Sequence, residues 1–224
     1  MSKLLTELKN IYQDKDIWII AGGSSMNFID PSFYDNKITI GLNHVYKKYK
    51  CSYIIMKDLY EDRFKKGLSE IIDLGIPLIY SEHNMAWHTQ GKNHVNYDNS
   101  YMFSHNDGAS PLEGALKVIG TDRIACKRSG ITCGMNIAAY MGAKNIIISG
   151  TDCGRINNNL YFEGYTEKQW HSGENNPNIE NWLTASDKIN LTVRDKIKEV
   201  YNCNIHSLNP FMNFKLDGNE YKAC

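Results

Sequence analysis

The sequence carries no excess of charge of either sign: 25 lysines and arginines balance 25 aspartates and glutamates over 224 residues. Duplex nucleic acid and anionic membranes are held by concentrated basic surfaces, so neither is an expected partner, although one local basic pocket is compatible with the balance. No apolar run approaches the roughly 18–20 residues that a membrane-spanning helix needs. The opening stretch carries Lys3, Glu7 and Lys9 and lacks the apolar centre of a secretory signal, which sets a cytoplasmic expectation. Six cysteines (Cys51, Cys126, Cys133, Cys153, Cys203, Cys224) form no CxxC pair and no metal-finger spacing; in a chain of this length they read as reduced thiols. GxGxxG is missing, and the absence of a GKS/T motif argues against a P-loop nucleotidase. With no Gly-x-Ser-x-Gly elbow and no Ser/His/Asp order, hydrolase chemistry has no support either.

What is present is the composition of a globular protein, 42% hydrophobic and 22% charged. Its length fits one domain, residues 1–224. Short apolar runs recur at Ile17–Ala21, Ile38–Leu42, Tyr53–Met56, Ile76–Tyr80, Asn145–Gly150 and, more weakly, Cys203–Leu208. Runs apolar at every position suit strands buried on both faces, as in a parallel sheet covered by helices. Helical spacing appears over Leu4–Tyr12, Glu61–Asp73, Ile131–Met141 and Ser186–Tyr201, with Gly75 and Gly142 as stops and Ser186 as an N-cap. Strands alternating with helices predict a Rossmann-like, doubly wound α/β sheet, mostly parallel, with helices on both faces. Residues 81–113 and 153–184 lack periodicity and are expected as long irregular loop insertions that carry function or act as lids. Asparagine is abundant, 24 in all, and suits turns and caps.

In such sheets a ligand lies beyond the carboxyl ends of the strands, so the residues after each apolar run come first. Gly22-Gly23-Ser24-Ser25 has the logic of a phosphate cradle: glycine admits close backbone approach, and hydroxyls and free helix N–H groups face an anion. A tight turn with no ligand is the competing reading. Asn43 and Asp58 follow the second and third runs, where Asn can bond a base, ribose or sugar and Asp can accept hydroxyls or hold a metal; caps or turns would use the same residues. Gly150-Thr151-Asp152 follows the best strand, which places Asp152 above Asp58 as a site residue. His83, His88, His94 and His105 match no metal-ligand spacing and read as solvated loop histidines. Tyr161, Tyr165, Trp170 and His171 suit stacking on a base or sugar together with general-base work, or else a hydrophobic plug under a loop.

The order of these motifs resembles two related groups. Ile19-Ile20-Ala21-Gly22-Gly23-Ser24-Ser25-Met26, Ile40-Gly41-Leu42-Asn43-His44-Val45-Tyr46 and Tyr53-Ile54-Ile55-Met56-Lys57-Asp58 are similar to the opening of two families. One is the 6-hydroxymethylpterin diphosphokinase-like (MptE-like) domain family; the other is the bacterial sialyltransferases that use CMP-sialic acid. Arg128-Ser129-Gly130-Ile131-Thr132, the run Ala139 to Asp152, and the last helix and strand before Asn209-Pro210 resemble the later parts of the same pattern. The resemblance spans most of residues 17–210. It implies nucleotide or nucleotide-sugar binding, with the glycine turn and Asn43 at the donor and Ser129, Gly130 and Thr132 near its phosphate or ribose. Tyr161 matches a tyrosine that contacts the donor phosphate in those enzymes. Two departures stand out. The turn here is one residue shorter and lacks proline. Where the sialyltransferases place a histidine before the last helix, this chain has Asn181-Trp182-Leu183-Thr184, which leaves His171 as the candidate base. The expectation is a glycosyltransferase-like enzyme moving a sugar from a CMP-linked donor to a hydroxyl on a small molecule or glycan. No resident metal or cofactor is expected, and assembly with copies of itself is left open. The alternatives are a diphosphokinase whose Mg²⁺ would sit on Asp58 and Asp152, and a non-catalytic nucleotide-binding module.

Overall fold

The computed structural model describes residues 2–57, 59, 62–83, 93–106, 111–165 and 179–208. Eight strands form one sheet: β1 (Lys3–Leu4), β2 (Asp16–Ile20), β3 (Ile38–Leu42), β4 (Tyr53–Met56), β5 (Leu78–Ser81), β6 (Ser100–Phe103), β7 (Asn145–Ser149) and β8 (Asn204–Ser207). Their order across the sheet is β1-β6-β5-β4-β3-β2-β7-β8, and every pairing is parallel. The chain therefore steps outward from β2 to β6, returns to lay β7 against β2, and ends on β8. That reversal between β2 and β7 makes the sheet doubly wound and opens a crevice at the carboxyl ends of those two strands.

The helices are α1 (Asp62–Asp73), α2 (Leu112–Val118), α3 (Gly130–Tyr140) and α4 (Ile179–Tyr201). Strand alternation sorts the core onto two faces. Ile17, Ile19, Ile40, Ile55, Ile146, Ile148 and Ile205 pack with Ile131, Met135, Val193 and Ile197 of α3 and α4. On the other face Trp18, Ile20, Ile54, Met56 and Ile147 pack with Tyr34, Tyr49 and Ile71. Both sets are almost entirely out of water, which is why the strands read as unbroken apolar runs.

The boundaries differ from the sequence reading in four places. Leu4–Tyr12 is not a helix: Lys3 and Leu4 pair with Tyr101 and Met102 of β6, one 3₁₀ turn follows at Leu5–Leu8, and Asn10 and Asp14 take positive φ. The loop expected over 81–113 contains β6 and the first residues of α2. Helix α4 starts at Ile179, inside the second expected loop, so Ser186 is a buried interior residue and not an N-cap. His105 is buried, with Nδ1 bonded to the Asn106 carbonyl, whereas His83 and His94 are exposed as expected; His88 lies outside the described residues. No helix among the described residues is long and apolar enough to cross a membrane, and the five described cysteines are free thiols.

Candidate functional site

At the crevice the turn after β2 and the turn after β7 meet backbone to backbone. The Gly23 amide donates to the Gly150 carbonyl at 2.8 Å. A Cβ on Gly23 would lie 2.4 Å from that same oxygen, and one on Gly150, which has φ +71°, would lie 2.4 Å from the Ala21 carbonyl oxygen. Only glycine fits at either position. The Asp152 carboxylate then reaches back to the first turn. It accepts the Ser25 amide at 2.7 Å, the Ser25 hydroxyl at 2.5 Å and the Ser24 hydroxyl at 3.4 Å. Asp152 is 4% exposed, and three donors of the first turn satisfy its carboxylate.

These contacts revise the cradle expected at Gly22–Ser25. The room left by the missing side chains is taken by the protein itself, since a Cβ on Gly22 would meet the Tyr165 ring at 2.5 Å. The amides of Gly23 and Ser25, expected to face a phosphate, are engaged by Gly150 and Asp152. The segment that follows is a 3₁₀ turn, Ser24–Phe28, and not an α-helix. The donors of the cradle are taken by the chain's own Asp152 carboxylate.

The segment around Tyr161 closes over the turn. Tyr161 bridges to Gly23, and the Phe162 amide donates to the Gly22 carbonyl at 3.1 Å. Tyr161 and Tyr165 stack with centroids 5.0 Å apart and planes 17° apart, and Tyr165 meets buried His44 edge-on at 5.8 Å. Asn43, at the tip of β3, has φ +54°, a backbone state that asparagine tolerates. It is half exposed and its carboxamide bonds to no described residue. Thr151 is 7% exposed and its hydroxyl has no hydrogen-bond partner among the described residues. A buried hydroxyl without a partner costs about 1–3 kcal/mol; a ligand that bonds it removes that cost.

Helix α3 begins at the same edge of the sheet, where Gly130 faces Leu42 at the end of β3. Ser129 sits at the N-cap without capping; its hydroxyl donates instead to Asn190 of α4 at 2.7 Å. The Thr132 hydroxyl accepts the Lys127 amide at 2.9 Å and shapes the turn into the helix. Lys57, after β4, reaches the Arg128 carbonyl at 3.1 Å. Ser129 and Gly130 are therefore half exposed at the crevice, while Thr132 is buried behind them.

Sequence reasoning missed Cys153 and Asp187. Cys153 follows Asp152 with φ +49°. Burial first, and then the neighbouring Asp187 and Asp152 carboxylates, push its thiol up to about 12. Asp187 is 6% exposed on α4. Its polar neighbours Ser186, Asn190 and Arg194, all buried on α4, were the available signal: a helix interior that buries four polar residues at near-helical spacing is unusual. Asp58 and His171 lie outside the described residues. Among the described residues no three His, Cys, Asp or Glu side chains converge to hold a metal ion.

A doubly wound parallel sheet with its switch point between β2 and β7, lined there by Asn43, Thr151, Asp152 and the start of α3, defines a Rossmann-like protein. No family model matches the sequence, and no curated protein matches it significantly. Two solved structures share the fold. The sialyltransferase CstII from Campylobacter jejuni, in complex with the substrate analogue cytidine-5'-monophosphate, is 16% identical with a TM-score of 0.52, over 90% of this chain and 82% of that one. The sialyltransferase CST-II in complex with a trisaccharide acceptor and CMP gives 16% identity and a TM-score of 0.51, over 93% and 89%. The architecture is therefore sialyltransferase-like.

Proposed function

We propose that the protein is a glycosyltransferase-like enzyme that moves a sialic-acid-like sugar from a CMP-linked donor to a hydroxyl acceptor. The observation that carries this reading is a pair of polar groups at the switch point that have no hydrogen-bond partner among the described residues: the Asn43 carboxamide and the buried Thr151 hydroxyl. In this arrangement Asn43 bonds the base or ribose, and Ser129 and Gly130 at the start of α3 lie near the phosphate. Tyr161 meets the leaving phosphate from the covering segment. Electrostatic stabilisation of that departing charge is the main contribution such a site makes. Gly22, Gly23, Ser24, Ser25, Gly150 and Asp152 form the rigid floor, and Thr132 fixes the entry to α3. The likeness in fold to a sialyltransferase bound to CMP supports the choice of nucleotide. His171 and Asp58 keep the roles assigned from sequence, as base and as donor contact.

Thermal melts with CMP, CMP-sialic acid, UDP, GDP and ADP test the reading. A ligand at 100 times its Kd stabilises by about 2.7 kcal/mol. For a chain of this size that is a rise of roughly 5–10 °C. The rise is expected for the two cytidine ligands, with release of CMP from CMP-sialic acid in a parallel assay. No response to either cytidine ligand overturns the proposal. Binding without release over long incubation selects the non-catalytic module, and activity abolished by EDTA selects the diphosphokinase.

A further inference from the structure

The even charge balance of the chain conceals one basic corner, and it lies at the start of α3. The Lys57 ammonium, just past the end of β4, donates to the Arg128 carbonyl at 3.1 Å. A lysine of one element is thereby held against an arginine of another at the carboxyl edge of the sheet. Arg128 is exposed and Lys57 half exposed. Among the described residues no carboxylate pairs with either of them. Two neighbouring cations without an acid between them attract an anion from outside.

The backbone beneath Arg128 is a second, separate observation. The Ser129 amide donates to the Lys127 carbonyl at 2.7 Å, which closes a three-residue turn centred on Arg128, and Arg128 has φ +57°. A turn of this kind is rare and strained, and its left-handed centre favours glycine. The fold draws no bond from the arginine side chain in return. Strain that persists in this way clusters at ligand clamps. The turn is also fixed in place: the Thr132 hydroxyl accepts the Lys127 amide at 2.9 Å, and the Ser129 hydroxyl is tied to Asn190 at 2.7 Å. Ser129 and Gly130, set near the donor phosphate above, follow Arg128 directly.

We infer that Lys57 and Arg128 clamp the phosphate of the donor, an assignment that rests on the donor reading above. In the transfer, the bond from the anomeric carbon to the phosphate oxygen breaks and its electron pair stays on CMP. The acceptor oxygen forms the new bond to that carbon and gives its proton to the base, His171. The phosphate therefore gains a negative charge as the bond breaks. The guanidinium fork fits two phosphate oxygens, and the ammonium adds a point charge. Both bind the departing CMP more strongly than the intact donor, so their contact strengthens in the transition state. Tyr161, a neutral phenol, supplies no such charge.

The test titrates the full chain with CMP and with cytidine, which lacks the phosphate, alongside CMP release from CMP-sialic acid and melting temperature. Arg128→Gln and Lys57→Gln are each expected to weaken CMP binding about ten-fold or more and to lower kcat, with cytidine affinity unchanged. Added NaCl is expected to weaken CMP binding to the wild type more than to either variant. Arg128→Gly is expected to raise the melting temperature, because the turn relaxes, while it weakens CMP binding. A residue that only supported the turn would move both in the same direction. If Arg128→Gln does not fold, Lys57→Gln decides on the same measurements. Equal losses for CMP and cytidine, or wild-type CMP affinity and turnover in the folded variants, overturn the clamp and leave the donor reading standing. A wild-type protein that binds neither CMP nor CMP-sialic acid overturns both.

Discussion

Gly22 and Gly23 are adjacent in sequence but face different obstacles, and this makes their roles separable. A Cβ on Gly23 would strike the Gly150 carbonyl oxygen, whereas one on Gly22 would strike the Tyr165 ring. Backbone locked between two strands cannot retreat; an aromatic ring on a covering loop can. Gly23→Ala is expected to cost about 1–3 kcal/mol or more through overpacking, read as a fall of several degrees in melting temperature. Gly22→Ala is expected to lower the melting temperature less and to weaken CMP binding at least ten-fold, because it displaces Tyr165 and with it the stacked Tyr161. Equal effects of the two changes on stability would contradict this assignment. At this scale the sequence showed that something must approach the glycines closely. It did not show what, because Gly150 and Asp152 are far along the chain.

Among the elements, α4 carries most of what the sequence concealed. Its 23 residues begin in an asparagine-rich stretch without helical periodicity, and its inner face mixes core residues Val193 and Ile197 with buried Asp187, Asn190 and Arg194. Polar side chains on the inner face interrupt the pattern by which a buried helix is recognised. Their partners lie on other elements, as with Ser129 on Asn190. A double-mutant cycle on Ser129→Ala and Asn190→Ala is expected to give a coupling of about 1 kcal/mol in urea unfolding. A coupling indistinguishable from zero would mean that the α3–α4 contact does not depend on this bond. The helix expected at Leu4–Tyr12 failed for a related reason: its spacing was apolar enough, but Leu4 pairs with Met102 nearly a hundred residues away.

For the whole molecule, the sheet order dictates where the chain opens first. β2 is paired on both sides, to β3 and β7, over four and five residues. β1 is a two-residue edge strand, exposed at both positions. Amide exchange is expected to be slowest at Ile17–Ile20 and Ile146–Ile148, approaching the global unfolding free energy, and fastest at Lys3 and Leu4. Faster exchange in β2 than in β6 would contradict the central position given to the switch point. A crevice floored by strands paired on both sides keeps Thr151 and Asp152 in place.

The sequence by itself determined the class of fold. Runs such as Ile146-Ile147-Ile148 are apolar on both faces, and only a covered parallel sheet buries both; Gly75 and Gly142, at φ +68° and +92°, marked helix ends by a property local to glycine. It also placed Asn43 and Thr151 at strand ends, because strand ends are local. Only the tertiary structure decided which polar groups satisfy one another and which remain open. Ser25 meets Asp152 across 127 positions of chain, and Ser129 meets Asn190 from a separate helix. Such pairings follow from strand order and helix placement, and no spacing along the chain encodes them.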